Sequence, residues 1–301
     1  MTDEAMTEQG MTEQAWGLWG EDDEKGSLNH IGPAQVRAAA ALVRTGQVIS
    51  LAQPLSPRTP VPAHRPGVMH FMDRDGGDYA AGARRPGNFQ FAEDTILLPL
   101  HVGTHIDALC HVWHDDKLYN GFSGNGTRST SGAARCGVDK MPPIVTRGLL
   151  LDIVRLRGAP VPDGDSIGLA ELQAAAEQAG VVPATGDAVL IRTGWLERQQ
   201  AGETMSFNTE PGIDLPAALW LAKAGVALVG ADNYAIEVLP FPTGQVFPVH
   251  QCLIRNYGMP LLEGLSLRVL AEAGATAFAF AAAPLPIVGG TASPIAPMAI
   301  L

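Results

Sequence analysis

The sequence predicts an α/β fold, with helices packed on a mixed or parallel sheet. Two observations carry this. Through the second half of the chain, apolar runs of strand length alternate with helical runs closed by glycine. Those strand runs are continuously rich in Val, Ile and Leu, as in strands buried on both faces. Composition permits such a fold. Hydrophobic residues are 46% of the 301 and charged residues 17%, which supplies a core and excludes a disordered or fibrous chain.

The elements follow in order. Residues 1–15, acidic and polar with a repeated MTEQ, read as a disordered leader, and 16–301 as a single domain. Gly32-Pro33, an Ala/Val/Leu run and Gly46 mark a helix over about 33–45. QVISLAQPL reads as a strand. Residues 56–94 are rich in Pro, Gly, Arg and Asp without a sustained period. They read as a long functional loop whose Phe71, Phe89 and Phe91 could line a pocket. DTILLPLHV reads as a strand that delivers a histidine cluster, and 120–137 as a Gly/Ser/Thr-rich loop. RGLLLDIV is a buried strand, and GLAELQAAAEQAG a helix stopped by Gly180. DAVLIRTGW is a strand. DLPAALWLAKAG is a helix capped by Asp214 with Pro216 in its first turn. VALVGADNY is a strand, HQCLIRNYG and SLRVLAEAG are short helices, and TAFAFAAAPLPI is a strand.

Several function classes are excluded or lack support. The net charge is −11 and no Lys/Arg cluster exists, so no nucleic-acid partner is expected. Cys110, Cys136 and Cys252 are widely spaced with no CxxC. That suggests neither a thiolate zinc site nor a disulfide framework, and it fits a reducing compartment. The amino terminus is the reverse of a secretory signal, and no run of about 18 apolar residues exists. No membrane association is expected, and the cytoplasm is the expected location. There is no glycine fingerprint or P-loop to support nucleotide binding.

The informative stretch is LHVGTHIDALCHVWHDD, residues 100–116. It holds His101, His105, His111 and His114, four of the chain's eight histidines, together with Asp107, Asp115 and Asp116. Gly103, Thr104 and the β-branched Val102 and Ile106 argue against a regular helix. In an extended strand, residues four apart are separated by ~13 Å, too far to share one metal with ligand bonds of ~2 Å. The chain must therefore curl, and Gly103 is the residue that allows it. Imidazoles and a carboxylate pointed inward form a cradle for Zn²⁺, Mn²⁺ or Fe²⁺. His114-Asp115-Asp116 reads as a solvated turn. Trp113 and Tyr119 read as packing residues.

HVGTHIDALCH resembles the H-x-G-T-H-x-D-x-x-x-H motif of the metal-dependent hydrolases called the cyclase family. WGEDDEKGSLN resembles the amino-terminal signature of the family's longer members. KLYNGF, RGLLLDI, VLIRTGW and GADNYAIE stand in the family's order, and HQCLIRNYGMPLLEGLSL and PLPIVGGTASP resemble its closing segments. The resemblance covers roughly residues 16–301. It implies a swivelling β/β/α fold, a mixed sheet closing toward a barrel with flanking helices. It also implies two divalent ions per chain, Zn²⁺ or Mn²⁺. His101, His105 and Asp107 would hold one ion, and His250 and Glu263 would hold the second with Asp107 bridging. His111 would be the catalytic histidine. Two departures, Leu109 where formamidases of the family have Pro and a longer gap from His250 to Glu263, weaken transfer of the formamidase substrate but not of the metal chemistry.

The function this implies is hydrolysis of an amide, cyclic amide or ester/lactone bond in a small-molecule substrate. The alternatives are a metal-dependent cyclase or dehydratase acting on a polyketide-like substrate, and a non-catalytic metal- or ligand-binding protein on the same scaffold. Asp232 and Asn233, at a strand end, are candidate substrate-binding or supporting groups, with a strand-end turn as the alternative. Family members imply a homodimer or homotetramer.

Overall fold

The structure is a computed structural model that describes residues 12–301. Its strands, in chain order, are β1 (Val48–Ser50), β2 (Met69–Arg74), β3 (Glu93–Leu97), β4 (His105–Asp107), β5 (Ile144–Asp152), β6 (Ser166–Ile167) and β7 (Ala188–Arg192). They continue as β8 (Gly212–Ile213), β9 (Leu228–Ala231), β10 (Leu261–Glu263), β11 (Ala277–Ala282), β12 (Ala292–Pro294) and β13 (Met298–Ile300). Nine of them form one sheet in the order β1-β13-β11-β5-β7-β9-β10-β4-β12. The run β5-β7-β9-β10 is parallel and the remaining pairs are antiparallel. This mixed sheet curls into a half-barrel flanked by helices, as the α/β reading requires.

The parallel strands are the apolar runs of the sequence. β7 and β9 bury almost every residue, as strands covered on both faces do. β11 sets Phe278 and Phe280 fully inside, each contributing about 2–3 kcal/mol of apolar burial. The helix Leu169–Ala179 ends at Gly180, whose left-handed φ of 68° accepts the stop. The helix Leu215–Lys223 starts where Asp214 accepts the Ala217 amide at 2.9 Å, with Pro216 in the first turn.

Three expectations are corrected. Residues 56–94 are not structureless. They contain β2, the start of β3 with which it forms a two-stranded hairpin, and a short helix, Gly76–Ala80, capped by Asp75. The strand read over DTILLPLHV is β3, which pairs with β2 in that hairpin and not with the main sheet. The histidines are instead delivered by the loop after Leu97 and by β4. The helix expected over about 33–45 is Pro33–Ala40. It stops early because Thr45 and Gly46 turn their amides to the carbonyl of the terminal Leu301, at 2.9 and 2.7 Å. Of the expected leader, residues 1–11 lie outside the described residues. Residues 12–15 touch the body: Ala15 donates to Asn256 O at 2.9 Å, and Glu13 lies 3.4 Å from Lys223 Nζ.

The register positions the site. β4 lies between β10 and β12, with His105 directly opposite Glu263 and Asp107 opposite Ala292. Across an antiparallel pair such partners lie within side-chain reach. Two segments more than 150 residues apart in sequence are thereby brought together at the β4–β10 edge.

Candidate metal centre

The cluster is built by a turn and a short strand. Gly103 has φ of 59°, the left-handed curl the spacing demanded, and the chain re-enters as β4. Alternate residues of a strand share a face, so His105 and Asp107 point together while Ile106 is buried on the other side. The chain turns again, His111 N donating to Ala108 O at 2.9 Å, and returns His111 to the same centre. His250 arrives at the start of a helix and Glu263 at the end of β10.

The contacts converge on Asp107. His101 Nδ1 is 2.7 Å from Asp107 Oδ1, and His105 Nε2 is 3.8 Å from the same oxygen. His111 Nε2 and His250 Nε2 are 3.9 and 3.8 Å from Asp107 Oδ2. Glu263 lies 3.1 Å from His105 Nε2 through Oε2 and 3.4 Å from His250 Nε2 through Oε1. These approaches lack hydrogen-bond geometry. Both oxygens of Asp107, Oε1 of Glu263 and Nε2 of His105 are buried with no hydrogen-bond partner. Buried polar atoms are rarely left so, and four orphans within one cluster are the mark of an ion-binding centre.

Three imidazoles are anchored through the nitrogen that faces away. His105 Nδ1 meets the Gly103 carbonyl at 3.0 Å, and His101 Nε2 meets Thr291 Oγ1 at 3.1 Å. His250 Nδ1 meets Glu237 Oε1, and Glu237 also accepts the amides of Val249 and His250 at 3.1 and 3.0 Å. An anchored far nitrogen fixes the orientation and tautomer of a metal-ligating histidine. The donor set is nitrogen and oxygen without thiolate, suited to a borderline or hard divalent cation. Cys110, next to the cluster in sequence, is fully buried, and burial pushes its thiol up to about 12, so it is no nucleophile. The residues therefore fit a divalent metal. Two groups of donors have all atoms within 4.8 Å of one another: His101, Asp107 and His111, and His105, Asp107 and Glu263. Asp107 is shared, as a bridging carboxylate would be.

The grouping differs in one respect from that implied by resemblance. By distance, His111 joins His101, whose ring centroid is 4.1 Å away, while His105 sides with Glu263.

Comparisons with known proteins identify the family. A family model described as "Putative cyclase" matches residues 49–238. The kynurenine formamidase of Geobacillus thermodenitrificans is 31% identical over 201 residues, 66% of this chain and 76% of that protein. The chain belongs to the cyclase family of metal-dependent hydrolases. Its fold is that of a solved structure described as a novel cyclase, with TM-score 0.90 and 35% identity over 96% of this chain and 100% of the other. Isatin hydrolase A from Ralstonia solanacearum shares the fold at TM-score 0.64 and 23% identity, covering 89% of this chain and 97% of that one.

In this cyclase-family chain the six residues singled out for metal and proton chemistry stand together. The remaining candidates do not face the centre. Asp232 takes the amide and hydroxyl of Thr193 at 2.8 and 2.7 Å and the Gly194 amide at 2.7 Å. It ties the end of β9 to the end of β7, which is the strand-end alternative. Asn233 is fully buried. Its Nδ2 donates to Pro211 O, its Oδ1 accepts from Ile236 N, and its carbonyl accepts the Gly264 amide beside Glu263. It supports the turn that carries a ligand and does not reach a substrate. Phe71 and Phe89 are 54% and 61% exposed on the hairpin, and Phe91 stacks on Phe89. None of the three lines the cavity above the cluster.

That cavity, about 1330 Å³, opens on His101, His111, His250 and Glu263. Its walls include Trp113, Phe207, Tyr234, Phe241 and Phe247, and the segment 61–65. Trp113, read as packing, is a wall residue and 44% exposed. The sequence reading passed over Glu237. The signal was a glutamate closing the apolar run YAIE, an acid that burial obliges to find donors. Ile236 beside it holds a φ of 58°, a strained conformation for a β-branched residue and one that gathers at functional sites.

Proposed function

We propose that the protein hydrolyses an amide, cyclic amide or lactone bond in a small aromatic molecule. The observation that carries this reading is the set of orphaned ligand atoms at the floor of an aromatic-walled cavity. His101, His105, Asp107, His250 and Glu263 would hold two divalent ions, with Asp107 between them. When bound, such ions polarise a scissile carbonyl and make water nucleophilic at neutral pH.

The chain's own groups do the rest. Glu237, the Gly103 carbonyl and Thr291 fix three ligand imidazoles, so the centre is organised before substrate arrives. Trp113, Phe207 and Phe247 exclude water from one face of an aromatic group. His111 is the proton carrier. It borders the cavity and, unlike the other three, its Nδ1 is anchored by no protein group among the described residues, so Nε2 can turn between centre and substrate. Burial and the neighbouring His101 and His250 push it down to about 4, against the pull of Asp107, so it is neutral at pH 7 and able to accept a proton. Nε2 would take the proton released from water and pass it to the leaving nitrogen or oxygen.

The proximity of His111 to His101 and Asp107 favours a second role for it, as a ligand of the first ion. One experiment separates the roles and tests the function. The metal-loaded protein and a His111→Ala variant are given a panel of aryl formamides, cyclic imides and aryl lactones, and bound metal is measured in each. The proposal expects turnover by the parent. In the variant it expects unchanged metal and a loss of about 10²–10⁴ in rate. Metal lost with His111 would make it a ligand. A panel untouched by the parent while hydroxylated polyketide-like compounds are dehydrated or cyclised would replace hydrolysis by the rival chemistry.

A further inference from the structure

The segment 61–65 that closes one side of the cavity ends in Arg65. Arg65 Nη1 donates to the main-chain carbonyl of His101 at 2.7 Å. This pins the guanidinium at the rim of the cluster, beside a ligand whose imidazole faces Asp107. Arg147, Arg157, Arg192 and Arg198 are each matched to a carboxylate within 3.0 Å, whereas Arg65 makes no ion pair among the described residues. Its planar fork therefore keeps donors to offer. Of the described residues that line the cavity, Arg65 is the one arginine or lysine, and the walls around it are largely apolar and aromatic. A chain of net charge −11 repels anions at long range, so an anion that enters must be met by a local cation.

We infer that Arg65 is a specificity-determining residue that binds a carboxylate carried by an aromatic substrate. The inference rests on the reading of the cavity as a substrate site. A planar carboxylate matches the guanidinium fork with two parallel hydrogen bonds, and the low-dielectric aromatic walls strengthen the pairing. The bond to the His101 carbonyl sets the fork's position relative to the reacting centre, so the aromatic ring between carboxylate and scissile carbonyl is gauged between two fixed points. Specificity is thereby drawn from the segment 61–65 and not from the hairpin phenylalanines. The rival role for Arg65 is a brace that holds the His101 loop.

The test compares two ring compounds that carry a ketone in place of the scissile carbonyl and so resist hydrolysis, 3-acetylbenzoate and the neutral 3-acetylbenzamide. Their binding to metal-loaded parent, Arg65→Gln and Arg65→Lys is measured by calorimetry, and bound metal per chain is measured for all three. The inference expects the parent to favour the carboxylate by about 10-fold to 100-fold. Arg65→Gln should erase that preference while metal content and affinity for the amide hold, and Arg65→Lys should restore part of it. No preference in the parent, no binding of either compound, or a preference that survives Arg65→Gln would overturn it. Loss of metal with equal weakening of both compounds would make Arg65 a brace and overturn it too. Formate release from 3-formamidobenzoate is followed in parallel. If the parent cleaves neither this amide nor other panel members while Arg65-dependent binding stands, the hydrolase reading fails and the anion site remains.

Discussion

At the scale of single residues, the centre is an electrostatic problem that metal solves. Asp107 and Glu263 are buried, which raises the cost of their charge, yet both are held below the usual carboxylate range by the imidazoles around them. Burial also disfavours the His250 imidazolium, but Glu237 and Glu263 outweigh it and raise His250 to about 10. His105 is raised as well, its burial outweighed by Glu263, Asp107 and the Gly103 carbonyl. In the metal-free protein the cluster thus takes up protons to balance its carboxylates. For His250 the sign is that of a raised base: it contributes stability that is present below about pH 6.5 and lost as pH rises through about 10. A metal needs the neutral imidazole, so metal uptake at pH 7 must expel protons, and apparent affinity must rise with pH across that window. Calorimetric titration of stripped protein in two buffers of different protonation enthalpy should report release of about one proton or more per chain. An uptake heat independent of the buffer would contradict this.

At the scale of elements, two glycines set the distance between the ligand segments. Gly103 at φ 59° makes the curl, and a Cβ there would press on the movable end of the Leu55 side chain and on no backbone atom. Gly264 at φ 65° follows Glu263, and its Cβ would lie 2.5 Å from the main-chain oxygen of Gly103. Its carbonyl also accepts Thr104 Oγ1 at 2.7 Å and Gln53 Nε2 at 3.0 Å. Gly103→Ala should therefore cost the conformational penalty alone, about 1–2 kcal/mol. Gly264→Ala adds a backbone clash that cannot be relieved locally and should cost about 2–5 kcal/mol and lower metal affinity. Urea unfolding of the two variants checks the order, and equal losses would show that the close approach carries no weight. The Gly103 curl was legible in the sequence, because two histidines four apart around a glycine have few ways to meet. The buried strands and the two longer helices were legible from apolar runs, caps and glycine stops. The β2–β3 hairpin was not. β3 was read as a strand, but MHFMDR of β2 is mostly exposed and lacks the half-buried alternation that marks one, so β2 and its pairing with β3 emerge only in the fold.

At the scale of the whole molecule, the sheet order is what assembles the site. β10 joins the parallel run through β9 and then takes β4 as its antiparallel neighbour, which sets Glu263 opposite His105. No local pattern could pair those two residues across the intervening chain, and resemblance to the family supplied that link. Resemblance did not supply the cavity. Its walls come from segments near residues 61–65, 111–113, 205–210 and 234–247, whose chemistry is visible only once the fold has gathered them. Among the described residues no helix is long and apolar enough to cross a membrane.

The central claim is that Asp107 joins two metal positions, one formed with the histidine motif and one completed by His250 and Glu263. Elemental analysis of protein purified without chelator, beside His105→Ala and Glu263→Ala, tests it most directly. The predicted result is about two divalent ions per parent chain, with metal lost in each variant. One ion, lost with His105→Ala but kept in Glu263→Ala, would remove His250 and Glu263 from the centre. No ion even after reconstitution would contradict the metal reading altogether.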